Sequence, residues 1–237
     1  MSKNGDYILF TLYQEIMGIN INIFYFINLQ IQNEFFNLIM PLITELGNLF
    51  IVIIICIFLL IYGVVKDNKK IKRVAIIGII AILLADVLTY TIKVIVVEPK
   101  PTIALENVHT LKTYDPIIHI YKFLVGGKGI KRNIARTFHV AYHASRYSFP
   151  SGHAANSFAI AIAIGLNLSI NIKGKCIKLV WILIPLACII GFSRVYLGAH
   201  YPFDVIVGAI VGIIAGLIAI NIGEIYLNKF YYFNENK

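Results

Sequence analysis

Residues 193–204 read Ser193-Arg194-Val195-Tyr196-Leu197-Gly198-Ala199-His200-Tyr201-Pro202-Phe203-Asp204, a short polar break between two long apolar runs. Charged and titratable groups are costly beside a bilayer, so Ser193, Arg194, His200 and Asp204 gathered at one helix junction point to chemistry at a membrane surface. Two more islands punctuate the chain in the same way. Pro150-Ser151-Gly152-His153 opens another apolar run, and Lys93 with Lys100-Pro101 closes an earlier one.

Bulk composition sets the class. Of 237 residues 59% are hydrophobic and 14% charged, and the mean hydropathy is +0.79. These values exclude an ordinary soluble domain and identify an integral membrane protein. The three cysteines, Cys56, Cys176 and Cys188, show no metal-ligand spacing and read as free thiols.

A membrane span needs about 20 predominantly apolar residues. Segments 49–65, 73–97, 151–170, 179–197 and 204–227 qualify. Residues 7–31 are apolar and aromatic but carry Gln14, Glu15, Asn20, Asn22 and Asn28, so they read as a poor sixth span or an interfacial helix. Residues 32–48 read as a second interfacial piece. The expected fold is an all-α polytopic membrane bundle of about six transmembrane helices. Its parts are an N-terminal segment, 1–48, and a core, 49–237, with an outer loop at 98–149.

Orientation follows from the short loops. Residues 66–73 hold five cations and one anion, and residues 171–178 hold Lys173, Lys175 and Lys178 without an anion. Both are expected on the cytoplasmic side. The 98–149 loop and the 198–203 turn then face outside, placing the site at the outer membrane–water interface of the plasma membrane. The long loop carries Lys100, Lys112, Lys122, Lys128, Lys131, Arg132, Arg136 and Arg146 against Glu98, Glu106 and Asp115. That positive surplus beside the islands would attract an anionic headgroup.

Each island falls at the outer end of a span, so topology alone brings the three together. Two histidines, a carboxylate and several cations suit nucleophilic transfer of an anionic group. His200 and Asp204 are four apart, and Asp204 bonded to one imidazole nitrogen leaves the other free to attack phosphorus. His153 is then the acid that protonates the leaving oxygen. Arg194 offers a planar fork to the phosphate, Lys93 and Lys100 offer point charges, and Ser151 a hydroxyl. Ser151 also reads as a helix N-cap, with the Gly152 and His153 amides aimed at the anion and Gly152 allowing close approach.

A fixed four-residue pattern such as Pro-Ser-Gly-His arises by chance about once in 10⁵ starts. With Ser193-Arg194-x5-His200-x3-Asp204 it resembles the second and third motifs of the type-2 phosphatidic acid phosphatase superfamily, which includes vanadium haloperoxidases. Lys93-x6-Lys100-Pro101 is similar to the first motif, with Lys100 where that family usually has arginine. The resemblance implies a six-helix membrane lipid phosphatase without metal or other cofactor. It implies a phosphohistidine at His200, His153 as acid and Asp204 as partner, and a phosphate pocket of Lys93, Lys100, Ser151, Gly152, His153 and Arg194.

The expected substrate is a lipid phosphate or polyprenyl pyrophosphate, with phosphatidate or phosphatidylglycerol phosphate close behind. Lipid phosphotransfer, and non-catalytic lipid or anion transport, are the other readings. Membrane lipids are the expected surroundings and nucleic acid is not an expected partner; the oligomeric state is open. His109, His119, His139 and His143 read as surface residues. Asp86, seven residues before Lys93, reads as an intramembrane acid that orients polar groups beneath the site.

Overall fold

The computed structural model describes residues 3–111 and 146–227. Lys112, Lys122, Lys128, Lys131, Arg132, Arg136, Asp115, His119, His139 and His143 lie outside the described residues.

Asparagines start several helices. α1 (Lys3–Tyr25) runs into a π-helical turn, Phe26–Gln30. α2 (Glu34–Glu45), α3 (Leu49–Val65) and α4 (Lys69–Val96) begin where Asn33, Asn48 and Asn68 accept the backbone N–H of Phe36, Phe50 and Ile71. Each cap satisfies a donor that a helix start leaves unpaired, worth about 1 kcal/mol. A one-turn helix, α5 (Pro101–Ala104), follows. Then come α6 (Gly152–Ala163), a hairpin of β1 (Ser169–Ile172) and β2 (Lys175–Lys178), α7 (Val180–Tyr196) and α8 (Pro202–Ile222).

Among the described residues two helices, Lys69–Val96 and Pro202–Tyr226, are long and apolar enough to cross a membrane. The pair α2–α3, bent by 56°, makes a third if it counts as one span. The helix of the expected span 151–170 stops at Ala163; a turn follows, and β1 takes the last two residues into the hairpin. Register Ile172↔Lys175 leaves Lys173 and Gly174 as a two-residue loop, both at positive φ (49° and 81°). That is the turn geometry whose twist matches the flanking strands. The described residues are thus mostly helical with one small hairpin.

The core is built on small residues. Ala81 and Ala85 of α4, Ala155, Ala159 and Ala163 of α6, and Ala215 and Ala219 of α8 share one buried cluster. A Cβ on Gly208 or Gly212 would collide with the Ser151 or Ala155 carbonyl oxygen, and one on Gly216 would stand 2.8 Å from Ile162 Cβ. Small residues let helix backbones approach closely, and α8 lies directly on α6 for this reason. The outer surface is apolar instead: Phe58, Ile95 and Trp181 are 68%, 74% and 75% exposed. A soluble protein rarely shows such a surface, and acyl chains solvate it without cost.

α4 ends where α6 and α8 begin. There Lys93 Nζ donates to the Tyr147 and Ser148 carbonyls (2.8 and 3.0 Å), and the Ser151 N–H donates to the Asp204 carbonyl (2.9 Å). Because α4 and α6 run antiparallel, the lysine-rich 66–73 turn and the hairpin lie at the opposite end. α1 closes over the site end: Asn20 accepts the Phe203 N–H at 3.1 Å, and Phe24 packs on Tyr201 with centroids 5.6 Å apart. The buried Asn28 donates to the Tyr196 and His109 carbonyls and accepts the His109 N–H. Two of the polar residues that spoil segment 7–31 as a span, Asn20 and Asn28, therefore face inward.

Candidate active site

The end of α7 is wound so that Arg194 and His200 stay together. The Ala199 and His200 N–H groups both reach the Arg194 carbonyl, at 3.0 and 3.3 Å. Gly198 makes this possible: its φ is 72°, and a Cβ there would press on Val108 Cγ1 at 2.7 Å and the His109 carbonyl at 2.8 Å. Pro202 then starts α8, where its missing N–H costs nothing.

His200 Nδ1 stands 3.4 Å from Asp204 Oδ2, and both side chains are buried. The same Oδ2 accepts the Tyr201 N–H at 2.8 Å and the Ser148 hydroxyl. An acceptor facing Nδ1 sets the proton there, which leaves the Nε2 lone pair bare. Burial, with the charges of Lys93, Arg194 and Lys100, holds this imidazole well below the usual histidine range. His200 is therefore a neutral nitrogen base among cations.

His153, in the first turn of α6, has Arg194, Lys100 and Lys93 as its charged neighbours. Ser151 caps α6 by accepting the Ala154 N–H and is fully buried. Nothing lies within 4 Å of where a Gly152 Cβ would stand, so protein packing does not require that glycine. Arg194 Nη1 donates to Thr44 Oγ1 at 2.7 Å. Lys93, Lys100, Ser151, His153, Arg194, His200 and Asp204 thus meet at one end of the bundle, although the chain separates them by up to 111 positions. Ser193 does not join them: its hydroxyl donates to Ile190 O within its own helix. Among the described residues no three His, Cys, Asp or Glu side chains form a group able to hold a metal ion.

Two expectations need correction. Asp86 is exposed on the outer face of α4 beside Leu83 and Val87, not beneath the site. Its sevenfold spacing to Lys93 is real, but the lysine stem is long enough to bend onto the Tyr147 and Ser148 carbonyls, and the short aspartate stays where the helix puts it. His109 is half-buried, with its backbone held by Asn28 and its ring edge-on to Tyr196 at 6.4 Å. Thr44, Ser148 and Glu98, which bear on Arg194 and Asp204, were absent from the expected site. Only Ser148 had a nearby signal, a hydroxyl three positions before Ser151.

The family model of the PAP2 superfamily matches residues 74–225. Undecaprenyl-diphosphatase BcrC of Bacillus subtilis is 28% identical over 187 residues, covering 78% of this chain and 74% of that protein. Phosphatidylglycerophosphatase B of Bacillus subtilis is 34% identical over 112 residues, 44% of this chain and 55% of its own. Among solved structures, LpxE of Aquifex aeolicus superposes with a TM-score of 0.58 at 27% identity, covering 86% of this chain and 95% of its own. A transmembrane PAP2-type phosphatidylglycerolphosphate phosphatase of Bacillus subtilis gives 0.62 at 18% identity over 95% and 98%, a likeness of fold. The stretch matched by the family model holds all three polar islands and the four helices that carry them, and on that match the chain belongs to the PAP2 superfamily.

Proposed function

We propose that the protein is a metal-independent membrane phosphatase that removes phosphate from a lipid phosphate or polyprenyl pyrophosphate through a phosphohistidine at His200. The observation that carries this reading is the buried His200, 3.4 Å from Asp204 and set among Lys93, Lys100 and Arg194 at one end of an apolar bundle.

In the proposed reaction His200 Nε2 attacks phosphorus and the bond to the leaving oxygen breaks. His153, whose protonated form the negative charge of the bound phosphate favours by offsetting the neighbouring cations, gives its proton to that oxygen. Asp204 stabilises the imidazolium character that develops on His200. Lys93, Lys100 and Arg194, with Ser151 and the Gly152 and His153 amides, neutralise the equatorial oxygens as charge spreads over them. Water then loses a proton to His153 and attacks phosphorus, the P–N bond breaks, and both histidines return to their starting states.

A six-segment topology takes α1, the bent α2–α3 pair, α4, α6, α7 and α8 in element order, of which α4, α8 and the bent pair are long and apolar enough to cross by themselves. With that count both lysine-rich turns fall on one side, and the positive-inside rule makes it the cytoplasmic one. The site then faces outside the plasma membrane, where a lipid phosphate or pyrophosphate left by outer-face glycan assembly is a suitable substrate. The undecaprenyl-diphosphatase relative favours the polyprenyl substrate by its longer overlap, and the phosphatidylglycerophosphatase relative supports the second choice.

The test is phosphate release by purified protein from a panel of lipid phosphates, with EDTA present and with or without vanadate. Release from none of them defeats the hydrolase reading, and activity that survives His200→Ala defeats the mechanism. Single cysteines at Lys69 and Lys128, in a cysteine-free background, report orientation; labelling of position 69 alone from outside inverts it.

A further inference from the structure

Glu98 has no place in the reaction above, and the fold holds it there firmly. Just after α4, Val97 adopts a left-handed conformation (φ 54°) that turns the chain. Beyond it the backbone pairs with residues 146–148: the Ser148 N–H donates to the Glu98 carbonyl at 2.6 Å, Pro99 pairs with Tyr147, and the Lys100 N–H reaches the Arg146 carbonyl at 3.3 Å. A left-handed β-branched residue costs on the order of 1–3 kcal/mol, so the surroundings must impose it. The half-buried side chain that results lies within hydrogen-bonding reach of the Asp204 carboxyl.

Two carboxylates are both acceptors, and they bond only when one carries a proton. Asp204 Oδ2 already receives the Tyr201 N–H and the Ser148 hydroxyl, which stabilise its charge. Asp204 Oδ1 is buried and accepts no hydrogen bond from any described donor. An unmet acceptor of that kind is expensive, and a Glu98 O–H answers it. We infer that Glu98 is a proton-carrying positioning residue, whose O–H donates to Asp204 Oδ1 and so fixes the carboxylate that holds His200.

Electrostatics agrees with this assignment. Burial, then the charge of Asp204, pushes the Glu98 carboxyl up to about 7, against the opposing pull of Lys93. The other groups around the pair are His200 in the turn, Tyr201 at the start of α8, Lys100 two residues on, Arg194 from α7, His153 from α6 and Tyr25 from α1. Below neutrality Glu98 and Asp204 share one proton and one negative charge. Above it the proton leaves, Oδ1 loses its donor, and two carboxylates repel each other beside the nucleophile. Activity therefore falls on the alkaline side because of Glu98. Where Glu98 is neutral, the positive surplus around the site is also larger than a count of formal charges gives.

The kinetic arm of the test rests on the phosphatase reading; a spectroscopic arm does not. In an Asp86→Asn background, infrared titration of the protein shows a protonated-carboxyl band that disappears as pH rises through about 7 and is absent from Glu98→Gln. In the kinetic arm, Glu98→Gln donates an N–H at every pH, so it keeps kcat within about threefold of wild type in mild acid and loses the alkaline decline. Glu98→Ala lowers kcat about tenfold or more with KM nearly unchanged, the pattern of lost positioning rather than lost binding. A wild type without the band, a band that persists in Glu98→Gln, or an alkaline decline unchanged in Glu98→Gln overturns the inference. If no lipid phosphate is hydrolysed the phosphatase reading fails, and the infrared titration decides the Glu98 assignment alone.

Discussion

Thr44 and Arg194, 150 residues apart, are joined by a 2.7 Å hydrogen bond from guanidinium Nη1 to the threonine hydroxyl, and both side chains are buried. The bond ties the α2 end of the bent pair to the cation at the end of α7. A hydrogen bond to a charged group is worth about 1.5–3 kcal/mol. Thr44→Val keeps the shape and removes the acceptor, so the guanidinium loses one of the contacts that orient it. If Arg194 grips the transferred phosphate, kcat/KM falls about 10- to 100-fold by that energy. Phosphate release from a lipid phosphate measures it, and a wild-type value shows that Thr44 does not orient the arginine.

Ser148 donates to the same Asp204 oxygen that faces His200 Nδ1, and its Oγ is itself 3.4 Å from that nitrogen. Ser148→Ala removes one of the donors that orient the carboxylate and leaves the Tyr201 N–H to hold Oδ2. Losing an orienting partner of this kind typically costs about 10- to 100-fold in activity. The effect should fall on kcat more than on KM, since the bound phosphate is not touched. Equal losses in both would place Ser148 in the phosphate pocket instead.

The islands could be read from the sequence because each is a run of residue types that a membrane helix otherwise excludes. Residues that act across the fold carried no such mark. Thr44 lies in a mostly apolar stretch, and Glu98 was one acid among the charges of a basic loop; only the turn at Val97 and the pairing with residues 146–148 set it beside Asp204. Helix lengths were less legible than helix existence. Span 151–170 was read from hydropathy alone, but Ile170 and Ile172 alternate with polar residues before Lys173-Gly174, a strand-and-turn pattern that a span-length window averages away. Asp86 was placed by helical phase, and phase does not record that lysine reaches farther than aspartate.

The cations around His200 lead to a pH prediction. Burial and then Lys93, Arg194 and Lys100 lower its pKa, so attack by the neutral imidazole persists below the ordinary value of 6.5. Lys100→Gln removes one positive charge, which raises the imidazole pKa and moves the acid limb of kcat/KM to higher pH. Lys100→Arg keeps the charge, so the limb stays in place, and a planar fork is added for the phosphate. An acid limb that does not move in Lys100→Gln means that another group sets it.

The last prediction concerns the seating of α8, which carries Asp204, against α6, which carries His153. At Gly212 a Cβ would strike the Ala155 carbonyl oxygen, and backbone cannot step aside as a side-chain tip can. Gly212→Ala therefore forces the helices apart, at a cost of about 1–3 kcal/mol or more. Because the site is built across that contact, activity falls together with the thermal midpoint. Gly18, in the interior of α1, is the matched control: a Cβ there meets nothing within 4 Å. Gly18→Ala removes the helix penalty of glycine and stabilises by about 0.5–1 kcal/mol without loss of activity. Thermal unfolding in detergent, followed for both variants beside phosphate release, decides the point, and a Gly212→Ala protein as stable and active as wild type refutes the close seating.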